Sequence, residues 1–381
     1  MKIIQWIHMV GFLVQKEFRQ IFRDRAMLRV IFIAPLIQLL ILSYATTTDL
    51  RNIRIAVLDE DHTAESRTLS TQFYQNNIFI PAPVAESPAQ LQQLLMDGKA
   101  DITVWIPRGY AGNVAAGKQS VVAMAVNGQN SSIAGRAQGY AEAIVRGAAN
   151  EILQSQMLKN PELAQRIHRI DSVTRFFYNP QLESRYYMVP AIVVILLSLI
   201  AGMLTGMAIV KEKEVGTLEQ LLVTPLSAGQ LIAGKVIPFI ILSYVELAIA
   251  TTVAILWFGL PFLGSVFVFG LCAFVFLVVA LGGGLLTSTV SQTQSQAMLT
   301  IWFFLMFGIM TSGFFYPVEN MPTWIYYLTY LNPMRYIMAI NRGIFLKGAT
   351  FVDVLPNLIP MAIMGVAVFG IAVLRFRKRL A

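Results

Sequence analysis

The chain has 381 residues, of which 56% are hydrophobic and only 13% charged, with a mean hydropathy of +0.61. Soluble globular chains carry about 25% charged residues, so neither a wholly soluble protein nor a disordered one fits. The net charge of +8 would fit a nucleic-acid surface only if the cations formed a stripe with aromatics, and the polar part of the chain has none. No nucleic-acid partner is expected. The single cysteine, Cys272, lies in an apolar run, and His8, His62 and His168 are scattered. No internal disulfide, metal centre or other cofactor is expected.

Residues 1–26 read as an amphipathic helix on a membrane surface. Lys16, Arg19 and Arg23 share one face, and Val14, Phe18, Ile21 and Phe22 share another. Such a helix is either a plain anchor or a docking surface. His8 and Gln15 interrupt its apolar residues, which makes a poor cleavable signal, so the first span is expected to remain as an anchor.

Apolar runs of the roughly 20 residues needed to cross a bilayer occur six times: 27–46, 186–210, 231–258, 264–288, 296–316 and 355–374. The expected fold is an α-helical polytopic membrane protein with six transmembrane helices plus an inserted α/β extracytoplasmic domain. The block 47–185 is electrically neutral, and the excess cations sit at span ends: Lys2, Lys16, Arg19, Arg23, Arg25, Lys211, Lys213, Lys235, Arg375, Arg377, Lys378 and Arg379. The positive-inside rule then puts both termini and the loop 211–230 in the cytoplasm and 47–185 outside. Arg335, Arg342 and Lys347 fall outside as mild exceptions.

Within 47–185 the pattern predicts a strand at 51–58, a helix at 63–76, a short strand near 77–84, and a helix capped by Ser87, started by Pro88 and stopped at Gly98. Strands at 101–106 and 121–126 follow, then a long helix from about 131 to 158 that can continue past Pro161. This alternation predicts a compact α/β domain. Asp59, Glu60 and Asp61 read as a solvated turn before they read as a metal site. Gly112-x4-Gly117-Lys118 and Gly229-x4-Gly234-Lys235 lack the Ser or Thr that follows a P-loop lysine, so no nucleotide site is expected.

The loop 211–230, KEKEVGTLEQLLVTPLSAGQ, predicts a short rigid helix between two spans. Gly216 allows a turn, Thr217 with Gln220 forms a capping box, and Leu218, Leu221 and Leu222 make an apolar edge that Pro225 ends. Ser227 with Gln230 caps the next span. Glu246 is the one clear acid deep in a span; it is either a cation or proton contact on a transport path, or a protonated group bonded to Ser243 or Thr251. Gly282, Gly283 and Gly284 predict close helix packing. Trp302, Phe303, Phe304, Met306, Phe307 and Met310 either line a greasy path or face lipid or a second copy.

Lys213 to Glu219, followed by Leu221-Leu222-Val223-Thr224-Pro225, resembles the signature of ABC-2 type transporter permeases, with Lys213 where that family commonly has Arg. The basic N-terminal helix, the six spans, the large block after the first span, and Asn332-Pro333 with Arg335-Tyr336 in the external re-entrant segment 312–345 agree with it. The resemblance implies an exporter subunit, similar to bacterial inner-membrane multidrug or lipid exporters. It implies pairing with a second or sister permease, docking of two cytoplasmic ATPase subunits, and work alongside a periplasmic adaptor protein. Glu212, Lys213, Glu214, Gly216, Thr217 and Glu219 would face the ATPase, and Lys16, Glu17 and Arg19 would lie in the docking helix. The resemblance also implies that ATP is hydrolysed elsewhere. A membrane-anchored ligand sensor or scaffold is the alternative. A sensor is expected to carry a cytoplasmic output domain, which is not found, and an enzyme would need a catalytic constellation, which is not found either.

Overall fold

The computed structural model describes residues 2–45, 53–76, 78–116, 118–128, 131–159, 178–179, 183–217 and 226–380. The chain divides into two compact units, 1–47 together with 176–381, and 48–175.

The first unit opens with α1 (Lys2–Arg23). Asp24 breaks it and accepts a hydrogen bond from the Met27 amide at 3.1 Å, which starts the next helical stretch. After the turn Arg25–Leu28, helix α2 (Arg29–Ala45) begins with a π-helical turn, Arg29–Ile33.

The second unit is a four-stranded sheet of β1 (Ile53–Asp59), β2 (Phe79–Pro81), β3 (Ile102–Ile106) and β4 (Ala123–Val126), in the order β2-β1-β3-β4. β1 is parallel to β2 and β3, with Ile55 opposite Ile102, and β4 is antiparallel to β3. The helices are α3 (Ala64–Gln75), α4 (Pro88–Met96), α5 (Tyr110–Ala115) and α6 (Ser131–Lys159). Alternation along the strands sends side chains into two cores. Ile53, Ile55, Leu69, Phe73 and Val104 share one with Ala137 and Ala141 of α6; Ala56, Leu58 and Leu91 of α4 share the other. Ser87 caps α4 as expected, Pro88 is its first helical residue, and Gly98 takes the left-handed φ of +64° that ends it.

The acidic run ends β1 in a part-exposed bend, and two of its carboxylates also hold the backbone around it. Asp59 accepts from the amides of Asp61 and His62 and from Ser66 Oγ at 2.7 Å. Asp61 accepts from the Gly109 amide at 2.7 Å and the Ala111 amide at 2.9 Å, which fastens the start of α5 to the end of β1. The Ala111 amide, with Thr63 and the Gly109 and Tyr110 amides, holds the Asp61 carboxyl below the usual carboxylate range. The fourth strand is shorter than expected, four residues instead of six.

The first unit resumes with α7 (Ser184–Glu214), α8 (Ala228–Leu256), α9 (Val266–Val290), α10 (Gln294–Met310), α11 (Thr323–Thr329), α12 (Pro333–Arg342) and α13 (Phe351–Leu380). Residues from Val189 to Ser198 are all buried, so α7 runs through the middle of this unit. α9 and α13 pack along their lengths. Among the described residues, four helices are long and apolar enough to cross a membrane: α7, α8, α9 and Phe351–Phe376 of α13. α2 and α10 are shorter apolar helices. The expected fifth run reaches 316, but α10 stops at Met310, because Thr311 and Ser312 turn their hydroxyls onto Phe307 O and Ile309 O and Gly313 takes a φ of +82°.

The three glycines divide their work. A Cβ on Gly282 would meet the Phe369 backbone at 3.0 Å, and one on Gly284 would meet Gly202 O at 2.4 Å; at Gly283 there is open space. Gly202 and Gly206 lie on α7 around its π-helical turn Ile200–Leu204, so α7 and α9 touch backbone to backbone.

Candidate functional site

α1 has three faces. Ile4, Ile7, Phe12 and Phe22 are exposed and apolar, Val10 and Ile21 are buried, and Lys16 and Arg19 are exposed beside Gln20, Arg23 and Asp24. At the α8 crossing, a Cβ on Gly234 would meet Leu13 Cβ at 2.5 Å, so only glycine allows this approach.

Beside that crossing lies a cluster of four charges, three of them buried and the fourth, Lys16, half-exposed. Lys235 Nζ is 3.1 Å from Glu17 Oε1 and 2.8 Å from Glu212 Oε2, the second an ion-pair contact out of line for a hydrogen bond. Lys16 Nζ is 3.0 Å from Glu212 Oε1 and 3.7 Å from Glu17 Oε1. Glu17, Glu212 and Lys235 are each at most 6% exposed. Two cations balance two anions, as a buried cluster requires. The cluster ties α1 to the end of α7 and the start of α8.

The end of α7 is also tied forward. Lys213 Nζ donates to Ser291 O at 2.7 Å, and Glu214 Oε2 accepts from the Gln294 side-chain amide at 2.9 Å and from its backbone amide. Gly216 has a φ of +78°, and Thr217 Oγ1 donates to Glu212 O at 3.3 Å. Glu214, Val215 and Gly216 are exposed. Of the candidate residues, Lys16, Glu17 and Glu212 meet directly, Arg19 stands on the neighbouring exposed face of α1, and Lys213 and Glu214 hold the α9–α10 turn. Glu219 and the expected helix with its Gln220 cap fall in 218–225, outside the described residues. Ser227 and Gln230 form the expected capping box of α8. Of the two P-loop look-alikes, Gly112 is inside α5, and Gly234-Lys235 is inside α8.

From the sequence, Lys235 reads only as a span-end cation and part of a P-loop look-alike, and Lys235, Ser291 and Gln294 are not among the candidate site residues. The one available signal was a lysine placed inside an apolar helix eight residues after its Ser227 cap, since such a cation needs a buried acid.

Glu246 is 4% exposed, and neither carboxyl oxygen has a hydrogen-bond partner. The bonds expected to Ser243 or Thr251 are not made; both hydroxyls are themselves without partners. Glu246 is among the residues around an almost wholly apolar cavity of about 10 Å³, with Ile31, Pro35, Leu39 and Leu196, room for one water at most. A larger cavity, about 450 Å³, lies between α7, α9, α10, α12 and α13. On α10, Trp302, Phe303, Phe304, Phe307 and Met310 are all exposed. The three cations expected to fall outside each lie against a ring: Arg342 lies 3.5 Å from the Tyr187 centroid, Arg335 4.0 Å from Tyr330, and Lys347 5.5 Å from Tyr178. Among the described residues, no group of His, Cys, Asp and Glu could hold a metal ion.

A family model described as ABC-2 family transporter protein matches residues 25–374. The chain is 28% identical over 372 residues to the Escherichia coli K12 protein named "Probable multidrug ABC transporter permease YbhR", covering 98% of this chain and 99% of the relative. It is 28% identical over 381 residues to "Probable multidrug ABC transporter permease YbhS" of the same organism, covering 99% of each. It is 26% identical over 367 residues to "Inner membrane transport permease YhhJ", also of Escherichia coli K12, covering 95% of each.

Proposed function

The chain belongs to the ABC-2 family of transporter proteins, and from that premise we propose that it is the membrane subunit of an ATP-driven exporter of hydrophobic or amphipathic molecules, drugs or lipids. Members of this family are transport permeases without a catalytic site of their own, and ATP is hydrolysed on a separate subunit. The multidrug reading comes from the names of the relatives, and the bacterial inner membrane from the name of the third.

The observation that carries the reading is the four-charge cluster. α1 is joined to α7 and α8 at the level where the cationic face of α1 and the turn 214–217 are exposed. An ATPase pressing on α1 and on the loop 211–230 would move both helices together. Glu212, Lys213, Glu214, Gly216, Thr217 and Glu219 form the loop side of this contact; Lys16, Glu17 and Arg19 form the helix side, with Glu17 and Glu212 acting from inside. A second permease copy or a sister permease completes the transporter through the exposed aromatic face of α10, and a periplasmic adaptor meets the block 47–185.

Six spans are supported by how the short helices are pinned. Glu214 and Gln294 join one end of α7 to the start of α10, while Tyr187 Oη donates to Gly313 O at 2.7 Å at the other end. α10 therefore covers the same depth as α7. For α2, Lys211 Nζ lies 3.9 Å from Asp24 at one end, and Trp257 Nε1 donates to Tyr44 Oη at 3.2 Å at the other. Both termini are then cytoplasmic and 47–185 is external.

The test is ATPase turnover after co-purification with candidate ABC ATPases, for the unaltered chain and for Glu214→Lys and Gly216→Trp. Capture of an ATPase whose turnover is uncoupled or released by either variant, with insertion intact, is the expected result. Failure to capture any ATPase in any nucleotide state sinks the reading and turns attention to ligand binding by 47–185.

A further inference from the structure

The sheet of the second unit has two edges, and they are protected differently. β2 has three residues and ends in Pro81, with Pro83 close behind. Short edge strands and prolines keep other strands from pairing. β4 has no such protection: residues 119–128, QSVVAMAVNG, contain no proline and no charged side chain.

The phase of the ladder shows which groups β4 turns outward. The Glu60 amide donates to Ile106 O, so Ile106, Val104 and Ile102 turn to β1, and Thr103 and Trp105 turn to β4. The Asn127 amide donates to Asp101 O at 2.9 Å, in the same phase. Thr103 with Ala125 and Trp105 with Ala123 are therefore the bonded pairs of β3 and β4. Met124 and Val126, with Val122 just before the strand, then point N–H and C=O away from the sheet. Among the described residues, β4 has a strand on one side only. Its two faces differ as well. Val122, Met124 and Val126 pack on the core that α6 covers. α4 packs on β1 and β3, and on that face Val121, Ala123 and Ala125 are exposed.

A second β4, run antiparallel about a two-fold axis at Met124, satisfies the outward groups. Met124 then faces its own copy, and Val122 faces Val126, as bonded pairs that exchange two bonds each. β-Branched side chains such as these valines pack well in a sheet. Ala123 faces Ala125 between them, on the bare face. A neutral strand meets no repulsion from itself, so the edge is complementary to its own copy. We propose that β4 joins β4 of a second copy of this chain, making one sheet continuous across two molecules. Two short strands alone pair weakly, so the pairing depends on the membrane holding both copies together. The proposal deepens the exporter reading by naming where its second copy meets this one outside the spans, and rests on that reading for its role in transport. The pairing itself needs no ATPase and leaves the rest of 47–185 to an adaptor.

The experiment uses the full chain with Cys272→Ala in native membranes. Two differently tagged chains, one with Ala123→Cys and the other with Ala125→Cys, are co-expressed and oxidised with copper phenanthroline. Opposite residues at the unbonded positions sit about 4.5 Å apart, Cα to Cα, and diagonal neighbours about 7–8 Å. The expected result is a mixed 123–125 product at least fivefold above either product of like with like. Met96→Cys, on exposed α4, should give no more than collisional product. Met124→Pro removes only an outward N–H, which an edge strand tolerates, and should cut the mixed product at least fivefold. Absence of the mixed product overturns the proposal, whether the edge is then covered by an adaptor strand, by another segment of the same chain or by nothing. Equal yields from all pairings, a Met96→Cys yield as high as the mixed one, or no effect of a folded Met124→Pro also overturn it. The comparison of pairings uses the unaltered edge backbone and decides alone if Met124→Pro does not fold. The mixed product formed without capture of any ATPase separates failure of the exporter reading from failure of this one.

Discussion

Lys235 is the residue on which the joint of α1, α7 and α8 turns, because it alone of the two cations contacts both acids from inside. Replacing it with Met leaves Glu17 a single contact, 3.7 Å from a half-exposed Lys16. Breaking a buried pair from one side costs about 3–5 kcal/mol. Lys235→Met should lower the thermal midpoint of the purified chain and abolish substrate-stimulated ATPase turnover; Lys235→Arg, which keeps a cation facing both acids, should retain part of both. An unchanged midpoint would remove the joint from the argument. Asp61 makes a different prediction, since its charge is spent on the amides that open α5. Its native pKa lies below its unfolded value, so its contribution is present above about pH 4 and is lost as pH falls through the native pKa. Hydrogen exchange of residues 102–106 should therefore be faster in Asp61→Asn than in the unaltered chain at pH 7, with the gap narrowing as pH falls below about 4. A gap that widens on acidification would reverse the sign and refute the assignment. Neither residue's partner could be read from sequence: Glu17 and Lys235 are 218 positions apart, and Asp61 and Ala111 are 50.

At the scale of elements, local chemistry was legible and crossings were not. Ser87 with Pro88, Ser227 with Gln230, and the stop at Gly98 each act over a few residues, so their patterns predicted the helix ends found. The run Gly282-Gly283-Gly284 announced close packing, but which glycine meets which neighbour depends on helices distant in the chain. Adjacent substitutions separate the roles. In Gly284→Ala the new methyl is forced onto Gly202 O, and a misfit of this kind in a packed core costs about 1–3 kcal/mol. In Gly283→Ala the methyl enters open space, and alanine is the better helix former by about 1 kcal/mol. Thermal unfolding in detergent should show Gly284→Ala clearly destabilised and Gly283→Ala equal to or above the unaltered chain. Equal losses in both would mean that α7 and α9 do not meet at Gly284.

For the whole molecule, hydropathy marks six apolar runs but cannot by itself make the two short ones spans. α10 has 17 residues, about 26 Å of helix against a hydrocarbon core of about 30 Å. The pinned ends carry the case instead: Gln294 is held to Glu214 and Gly313 to Tyr187, at opposite ends of a 31-residue helix. The same logic holds for α2 through Asp24 with Lys211 and Tyr44 with Trp257. The buried Cys272 is readily replaced by Ala, which leaves a cysteine-free chain for single reporters. Gln20, Met96, Val215 and Trp324 are exposed and lie on either side of the two doubtful helices in the sequence. A membrane-impermeant maleimide added to spheroplasts should label Met96→Cys and Trp324→Cys, and should reach Gln20→Cys and Val215→Cys only after the membrane is opened. If α2 does not cross, Gln20→Cys labels together with Met96→Cys. If α10 does not cross, Trp324→Cys is protected together with Val215→Cys, and Arg335, Arg342 and Lys347 move to the cytoplasmic side. In that case their cover of tyrosine rings would no longer be needed to reconcile them with the positive-inside rule.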